Sequence, residues 1–553
     1  MSIQYNIKSN LLGGALLTCL LAGGTAPAFA ASSLDQPGAN IRQAEPHAEA
    51  KIESTEQPAV TKDEVRFHLM RVNIEAPELK LEPEAMREFF RTLEGRDVTL
   101  GEVQAAAWQL TLYCRRNGYP ASIAYLPEQE SDDAVLLVKV LPGRYDEITL
   151  DNESRLNPKV AESFLAGLRH GDIVRTYELE TALFSLSDKS GAKAVGVMRP
   201  GREAGSTSVT VHLEDAKPTN TVLYAENYGS KASGRYRYGL QHTVYNVGGT
   251  GAKMNVGGVV SNGGMKNYYV NYEMLVGRGG TTLGLGISRM QYTLGGTLRA
   301  WGANGTADTL SLYGSRPLYQ TDAEKLSVNY GYDYRKLRDD LDALKGLADG
   351  KKHSHSLRVG LDGIKHDFKN GLFLDYGLTL TMGTVSADSA YTRRLVEESR
   401  SDGRFVKAEL NFSAVQRLGQ STDIMLKLSG QKASKNLDSS EEIYLGGANA
   451  VRAYPQGAGS GDEGAVGTLE LRWHTDAPGL TLSTYLDMGS VNIARDRREG
   501  SATLYGWGIG VTYNSPDNWF ARLDYARRIG LADIVDKDAE SRARMWFMVG
   551  KTW

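Results

Sequence analysis

Arg452 is the residue whose chemistry most needs a partner. It stands in Val451-Arg452-Ala453-Tyr454-Pro455, between Tyr444-Leu445-Gly446-Gly447 and the glycine-rich stretch from Gly457 to Gly461. A cation and an aromatic ring set between apolar anchors and glycine hinges describe a loop folded back onto something, not one lying free in water. Two downstream carboxylates could receive it. In Thr468-Leu469-Glu470-Leu471-Arg472-Trp473 the large apolar residues share one parity, so Glu470 faces the other way. In the run from Leu480 to Gly489, period two turns Asp487 to the same enclosed side. A carboxylate in a narrow lumen is costly unless paired, and Arg452 can bond one of the two in a bidentate manner. That chemistry is ion pairing, a latch, and involves no bond-making.

Signals of enzyme chemistry are weak. Gly506, Gly508 and Gly510 match part of a dinucleotide pattern, but they alternate along a strand-like run instead of opening a helix. His353 and His355 are close enough to suggest a metal, yet they fall in a predicted polar loop without further ligands. There is no phosphate-binding loop and no G-x-S-x-G elbow. The sequence therefore predicts no catalytic site, cofactor or metal. The net charge is -3 and no block of Lys and Arg occurs, so a nucleic-acid partner is not expected.

The elements that must position Arg452 are β-strands. From about residue 219 to the end the chain alternates, most clearly in Tyr505-Gly506-Trp507-Gly508-Ile509-Gly510-Val511-Thr512-Tyr513, with large residues on one face and small on the other. About sixteen such segments can be counted, each long enough for a tilted transmembrane strand. Glycine contributes 61 of 553 residues and tyrosine 28, against 12 phenylalanines; small residues suit a crowded lumen, and aromatics suit lipid interfaces. Connections at 277–280, 475–479 and 514–518 are tight, while 292–305, 337–352, 385–401, 434–465 and 529–542 are longer and polar. Short and long connections that largely alternate predict a barrel with one end in the periplasm and the other outside. A soluble sandwich would carry polar outer faces. The mean hydropathy of -0.36 excludes a helical membrane bundle.

Ahead of the barrel lie other elements. An apolar run from Leu11 to Leu21, too short to span a bilayer, ends in Ala28-Phe29-Ala30 and predicts a signal peptide over 1–30. A lipoprotein reading of Cys19 competes, but Thr18 precedes it where a smaller residue is expected. Cleavage leaves Cys114 alone, read as a buried helix residue. Residues 31–62 form a polar linker. Two α+β units follow, at 63–142 and 143–215, each ordered strand-helix-helix-strand-strand. The first is expected to have a strand over 65–76, a helix over 83–93, and a second helix opened by the capping box Thr99-Leu100-Gly101-Glu102 and stopped at Asn117-Gly118. The barrel then takes 216–553, with 434–465 as a folded-in loop.

Read together, these motifs resemble a known superfamily. Val451 to Pro455, between the eleventh and twelfth strands, resembles the loop motif of the POTRA-plus-barrel transporters and insertases. Tyr485-Leu486-Asp487-Met488-Gly489 resembles the strand motif that receives that loop's arginine; Ala453 stands where the family usually has glycine. Asn117-Gly118-Tyr119-Pro120, continuing to Leu126-Pro127, and Val138 to Arg144 resemble the first POTRA domain of two-partner secretion transporters. Glu226 to Arg235 resembles the start of their barrel. Two modules point to the haemolysin secretion/activation branch.

The resemblance implies an outer-membrane transporter with periplasmic modules, exporting one large exoprotein such as an adhesin, haemolysin or contact-dependent toxin. Its partners would be that substrate, outer-membrane lipid and, during biogenesis, periplasmic chaperones and the barrel assembly machinery. Val451, Arg452, Ala453, Tyr454 and Pro455 would form the gating latch, with Asp487, Glu470 and Gly489 as acceptors. Gly118, Tyr119, Pro120, Leu126 and Pro127 would belong to substrate capture. An extended substrate can add to an exposed sheet edge through main-chain bonds. In the family a helix before the first module can plug the pore, and Gln43 to Glu56 could hold one here. An insertase for other barrels is the alternative; a passive porin and a barrel hydrolase fit less well.

Overall fold

The computed structural model describes residues 48–52 (backbone only), 65–129, 134–496, 500–530 and 541–553. The expected signal peptide and most of the polar segment lie outside the described residues. Of the stretch considered for a plug helix, Ala48–Ile52 (β1) is a strand.

In the first module, Arg66–Leu69 (β2) and Arg71–Glu75 (β3) replace the single strand expected over 65–76. The break is at Met70, whose N–H donates to the Ala134 carbonyl at 2.8 Å, sending the two halves to different partners. After Pro83–Arg87 (α1), the expected helix gives way to tighter turns that bury Phe90 and Leu93. Arg96–Thr99 (β4) pairs with β2. Leu100–Arg116 (α2) has the expected capping box: Glu102 N–H donates to the Thr99 hydroxyl at 3.2 Å, and Thr99 N–H to the Glu102 carboxylate at 2.7 Å. Its buried face is Val103, Ala106, Ala107, Leu110 and Cys114. Ile123–Tyr125 (β5) and Val135–Leu141 (β6) complete a sheet of order β3-β6-β5.

The second module runs Arg144–Asn152 (β7), Pro158–Leu165 (α3), Thr176–Ser190 (α4), Ala192–Pro200 (β8) and Ser206–Asp215 (β9). Its sheet has the order β1-β8-β9-β7, so β1 lies parallel along β8.

Sixteen strands then close an antiparallel barrel. In chain order they are Thr219–Glu226 (β10), Arg237–Val247 (β11), Ala252–Ser261 (β12), Lys266–Leu275 (β13), Thr282–Thr293 (β14), Ala303–Gln320 (β15), Glu324–Leu341 (β16), Gly350–Asp367 (β17), Leu372–Ala387 (β18), Gly403–Arg417 (β19) and Thr422–Ala433 (β20). A helix, Ala390–Ser399 (α5), lies between β18 and β19. After a two-stranded ribbon of Ile443–Tyr444 (β21) and Ser460–Gly461 (β22) come Glu463–His474 (β23), Leu480–Asn492 (β24), Ser501–Asn514 (β25), Trp519–Arg528 (β26) and Ala543–Thr552 (β27). Among the described residues no helix is long and apolar enough to cross a membrane, and the crossing is made by strands.

The alternation sorts side chains as a membrane barrel requires. Leu283, Leu285 and Ile287 are exposed outward, while the intervening residues of β14 are buried. Lys551, on the outward parity, places its ammonium 5.1 Å from the Trp519 ring and 5.5 Å from that of Trp553, which accommodates a cation among interfacial aromatics.

The second module docks on the short turns. Gln320 N–H donates to Thr181 at 2.9 Å, Lys325 pairs with Asp188 at 2.9 Å, and Lys189 donates to Ser315 at 3.0 Å. This end is therefore periplasmic. At the other end, β15, β16 and β17 are 18 residues each and rise beyond the bilayer, so the loops expected at 292–305 and 337–352 are much shorter. Extending the ladder keeps backbone donors and acceptors paired. His353 and His355, expected in a loop, therefore sit on β17; His355 Nδ1 is 2.6 Å from Tyr332 Oη and His353 Nδ1 is 2.8 Å from Asp388.

Candidate functional site: a loop latched inside the barrel

The connection from β20 to β23 turns back into the lumen. Its root is tied to the wall by buried ion pairs: Asp438 with Lys352 at 2.8 Å, and Glu441 with Lys407 at 3.1 Å and Arg335 at 3.2 Å. The β21–β22 ribbon then carries a tip made by tight turns. Val451 N–H donates to the Leu445 carbonyl at 2.8 Å and Tyr454 N–H to Val451 at 3.1 Å. Gly447 (φ 141°) and Gly457 (φ 80°) take backbone conformations that favour glycine. Leu445, Val451, Ala453 and Tyr454 are fully buried. A loop this apolar is stable only against a receiving wall.

That wall is β24 and β25. A Cβ at Gly506 would lie 2.8 Å from that of Ala453, and one at Gly489 would lie 3.2 Å from Val451. Small inward residues thus make the seat for the tip, and Ala453, where the resembling family has glycine, fits because Gly506 faces it.

Arg452 is 3% exposed and fully engaged. Nε and Nη2 donate to the two oxygens of Asp487 at 2.9 and 2.8 Å, and the backbone N–H adds a bond at 3.1 Å. Nη1 reaches Glu470 at 3.1 Å and Asp524 at 3.2 Å. The guanidinium carbon lies 3.1 Å from the centre of the Tyr485 ring, an attractive cation–π stack. Thr468 donates to Asp487 at 2.9 Å. Sequence parity placed Glu470 and Asp487 inward, and the structure brings both to Arg452.

Four participants went unnoticed in the sequence. Asp524 and Arg522 of β26 join the cluster, Arg522 bonding Asp524 at 2.6 Å; their shared parity was the available signal. Two guanidinium groups thus face three carboxylates. Trp546 of β27 donates its indole N–H to the Arg452 carbonyl at 2.6 Å. Arg528 stacks 4.4 Å from the Tyr454 ring. The last two link residues distant in sequence and leave no local motif.

The residues expected in capture have mixed positions. Gly118 (φ 98°) ends α2. Tyr119 and Pro120 are buried; the Tyr119 hydroxyl accepts the Lys80 N–H at 2.8 Å, and Leu126 packs on the module's core. Pro127 is half-buried. Closing the helix end draws Tyr119 and Pro120 inward, and Tyr119 is left 6% exposed.

A family model described as haemolysin secretion/activation protein ShlB/FhaC/HecB matches residues 205–513, and one described as a ShlB-type POTRA domain matches 67–143. Among curated relatives, the heme/hemopexin transporter protein HuxB of Haemophilus influenzae is 25% identical, covering 92% of both chains. The outer membrane transporter CdiB of Dickeya dadantii is 24% identical, covering 72% of each. Among solved structures, CdiB from Escherichia coli superposes with a TM-score of 0.68 at 19% identity, covering 91% of this chain and 93% of that one.

Proposed function

The chain belongs to the haemolysin secretion/activation protein ShlB/FhaC/HecB family, and from that premise we propose that it exports one large partner exoprotein from the periplasm to the cell surface. The relatives named as transporters support this reading. The observation that carries it is the protein's own loop latched inside the lumen by Arg452, with the second module docked at the periplasmic mouth. Such a conduit must be cleared before a chain passes. Val451 to Pro455 act as the latch, Asp487 and Glu470 as its charge acceptors, and Gly489 as part of the seat.

Capture falls to the modules. β1 lies along β8 over five residue pairs, so this sheet edge accepts an extended segment through main-chain bonds, which need little sequence specificity. An incoming secretion signal would displace β1 or add at β5, the edge of the first module's sheet. Folding of the substrate outside the cell pulls it forward. The reading contains no catalytic step and no cofactor. Biogenesis of the barrel itself engages periplasmic chaperones and the barrel assembly machinery.

Deleting the gene tests the proposal. One large protein should accumulate in the periplasm while other outer-membrane barrels stay at normal levels. Broad loss of barrels would instead identify an insertase.

A further inference from the structure

The strongest charge pattern that the latch does not use lies on the outer wall, near the extracellular ends of β16 and β17. Register places Arg338 directly opposite Lys351, and Lys336 directly opposite His353. Period two puts these side chains on the outward face, in column with Tyr332 and Tyr334 below them. Like charges directly opposite on one face of a sheet destabilise it unless something neutralises them.

Register sets the Asp308 carboxylate directly opposite Lys336, but the neighbouring carboxylates are engaged elsewhere and none closes an ion pair on Arg338 or Lys351. Asp308 pairs with Arg289 at 3.5 Å, and Asp388 bonds His353 at 2.8 Å. Asp340 stands beyond Arg338 on the same face. Among the described residues, no ion pair joins Lys336, Arg338 or Lys351 to a carboxylate. Lys336 leans down, its ammonium 5.9 Å from the Tyr334 ring. Farther round the wall, Lys266 on β13 and Arg404 on β19 also face outward and are exposed. The far wall differs: β24 and β25 end outward in Ser490, Asn492, Ser501 and Thr503.

Depth decides what these cations meet. Leu310, Leu312, Leu357 and Val359 form the exposed apolar band just below. Lys336 and Arg338 lie two and four residues beyond Tyr334, about 5 and 10 Å higher for a strand tilted by about 40°. That is headgroup level in the outer leaflet, where basic clusters bind lipid phosphates.

We infer that Lys336, Arg338 and Lys351 form a binding site for the phosphate groups of lipid A, the phosphorylated glycolipid of the outer leaflet. The anion sits between Arg338 and Lys351 and removes their repulsion, while the acyl chains run down the apolar column. The site anchors β16 and β17, whose inward faces hold Arg335 and Lys352 at the root of the latch loop.

The test uses the full-length protein, delipidated in detergent and titrated with bisphosphorylated lipid A, dephosphorylated lipid A and phosphatidylglycerol. Wild type should bind the bisphosphorylated form at least about tenfold better than the other two. The triple variant Lys336→Gln, Arg338→Gln, Lys351→Gln should lose about that factor, while Arg527→Gln, outward on β26, should not. Heat-modifiable gel mobility reports that each barrel is folded. Should the triple variant fail to fold, Arg338→Gln alone and the wild-type lipid series decide the matter. Equal affinity for phosphatidylglycerol, or undiminished lipid A binding by the variant, overturns the site. Loss of exoprotein binding with lipid A binding intact also overturns it, making the patch a protein-docking face.

Discussion

Arg452 and Asp487, 35 positions apart, meet through two parallel hydrogen bonds of 2.9 and 2.8 Å inside a closed barrel. Fork-to-fork pairing of this kind is directional as well as strong. Loss of one member of a buried pair leaves an uncompensated charge, at a cost of about 3–5 kcal/mol. Arg452→Glu is therefore expected to abolish export, and the exchange Arg452→Glu with Asp487→Arg to restore part of it. The readout is the amount of partner protein reaching the medium. Normal export by Arg452→Glu would remove the latch from the mechanism.

Seating of the tip can be tested without touching charge. A Cβ at Gly506 would come within 2.8 Å of Ala453, so Gly506→Leu should push the tip out of its seat. Planar-bilayer recordings of the purified variant should show higher conductance than wild type, and the loop should become sensitive to external protease. Unchanged conductance with a protected loop would mean that the tip does not depend on this contact.

Docking of the second module should depend on pH. The Glu180 carboxyl of α4 is pushed up from 4.5 to about 7 by burial, with repulsion from Asp322 of the adjoining periplasmic turn adding to it. The docked state thus holds its proton more tightly than a free carboxyl does. Docking is strongest below about pH 4.5, weakens as pH rises, and has lost this contribution once pH passes about 7. Hydrogen exchange in α4 should speed up across that window in wild type and stay level in Glu180→Gln. Identical profiles for the two proteins would rule Glu180 out.

The edge of the second module offers a reversible test of capture. Glu49 and Val195 are partners across β1 and β8. Cysteines at both positions should form a bridge in the oxidising periplasm and hold β1 on the edge. Export should fall under oxidising conditions and return with a reductant. If the bridged form exports normally, the substrate does not need this edge.

Cys114 provides a folding probe. Burial raises its thiol to about 11, and the residue has no exposed surface. Native protein should resist maleimide, with labelling tracking denaturant-induced unfolding of the first module. Rapid labelling of the native protein would contradict this packing.

Much of this protein was legible in the chain because period-two alternation reports which face a residue takes. That pattern alone marked the barrel wall and turned Glu470 and Asp487 inward, and the capping box at Thr99 marked the start of α2. Local pattern does not report where the backbone finds its partners. Met70 splits an apparently continuous strand through a bond to Ala134, and β15 to β17 outgrow their predicted loops because polar residues can extend a ladder as readily as leave it. Asp524, Arg522 and Trp546 reached Arg452 only when the sheet closed on itself, bringing β26 and β27 beside a loop some 70 to 94 residues earlier in the chain. Alternation fixes which way each side chain points along its own strand. Which side chains meet across the lumen depends on strand number and register, and those are properties of the closed barrel.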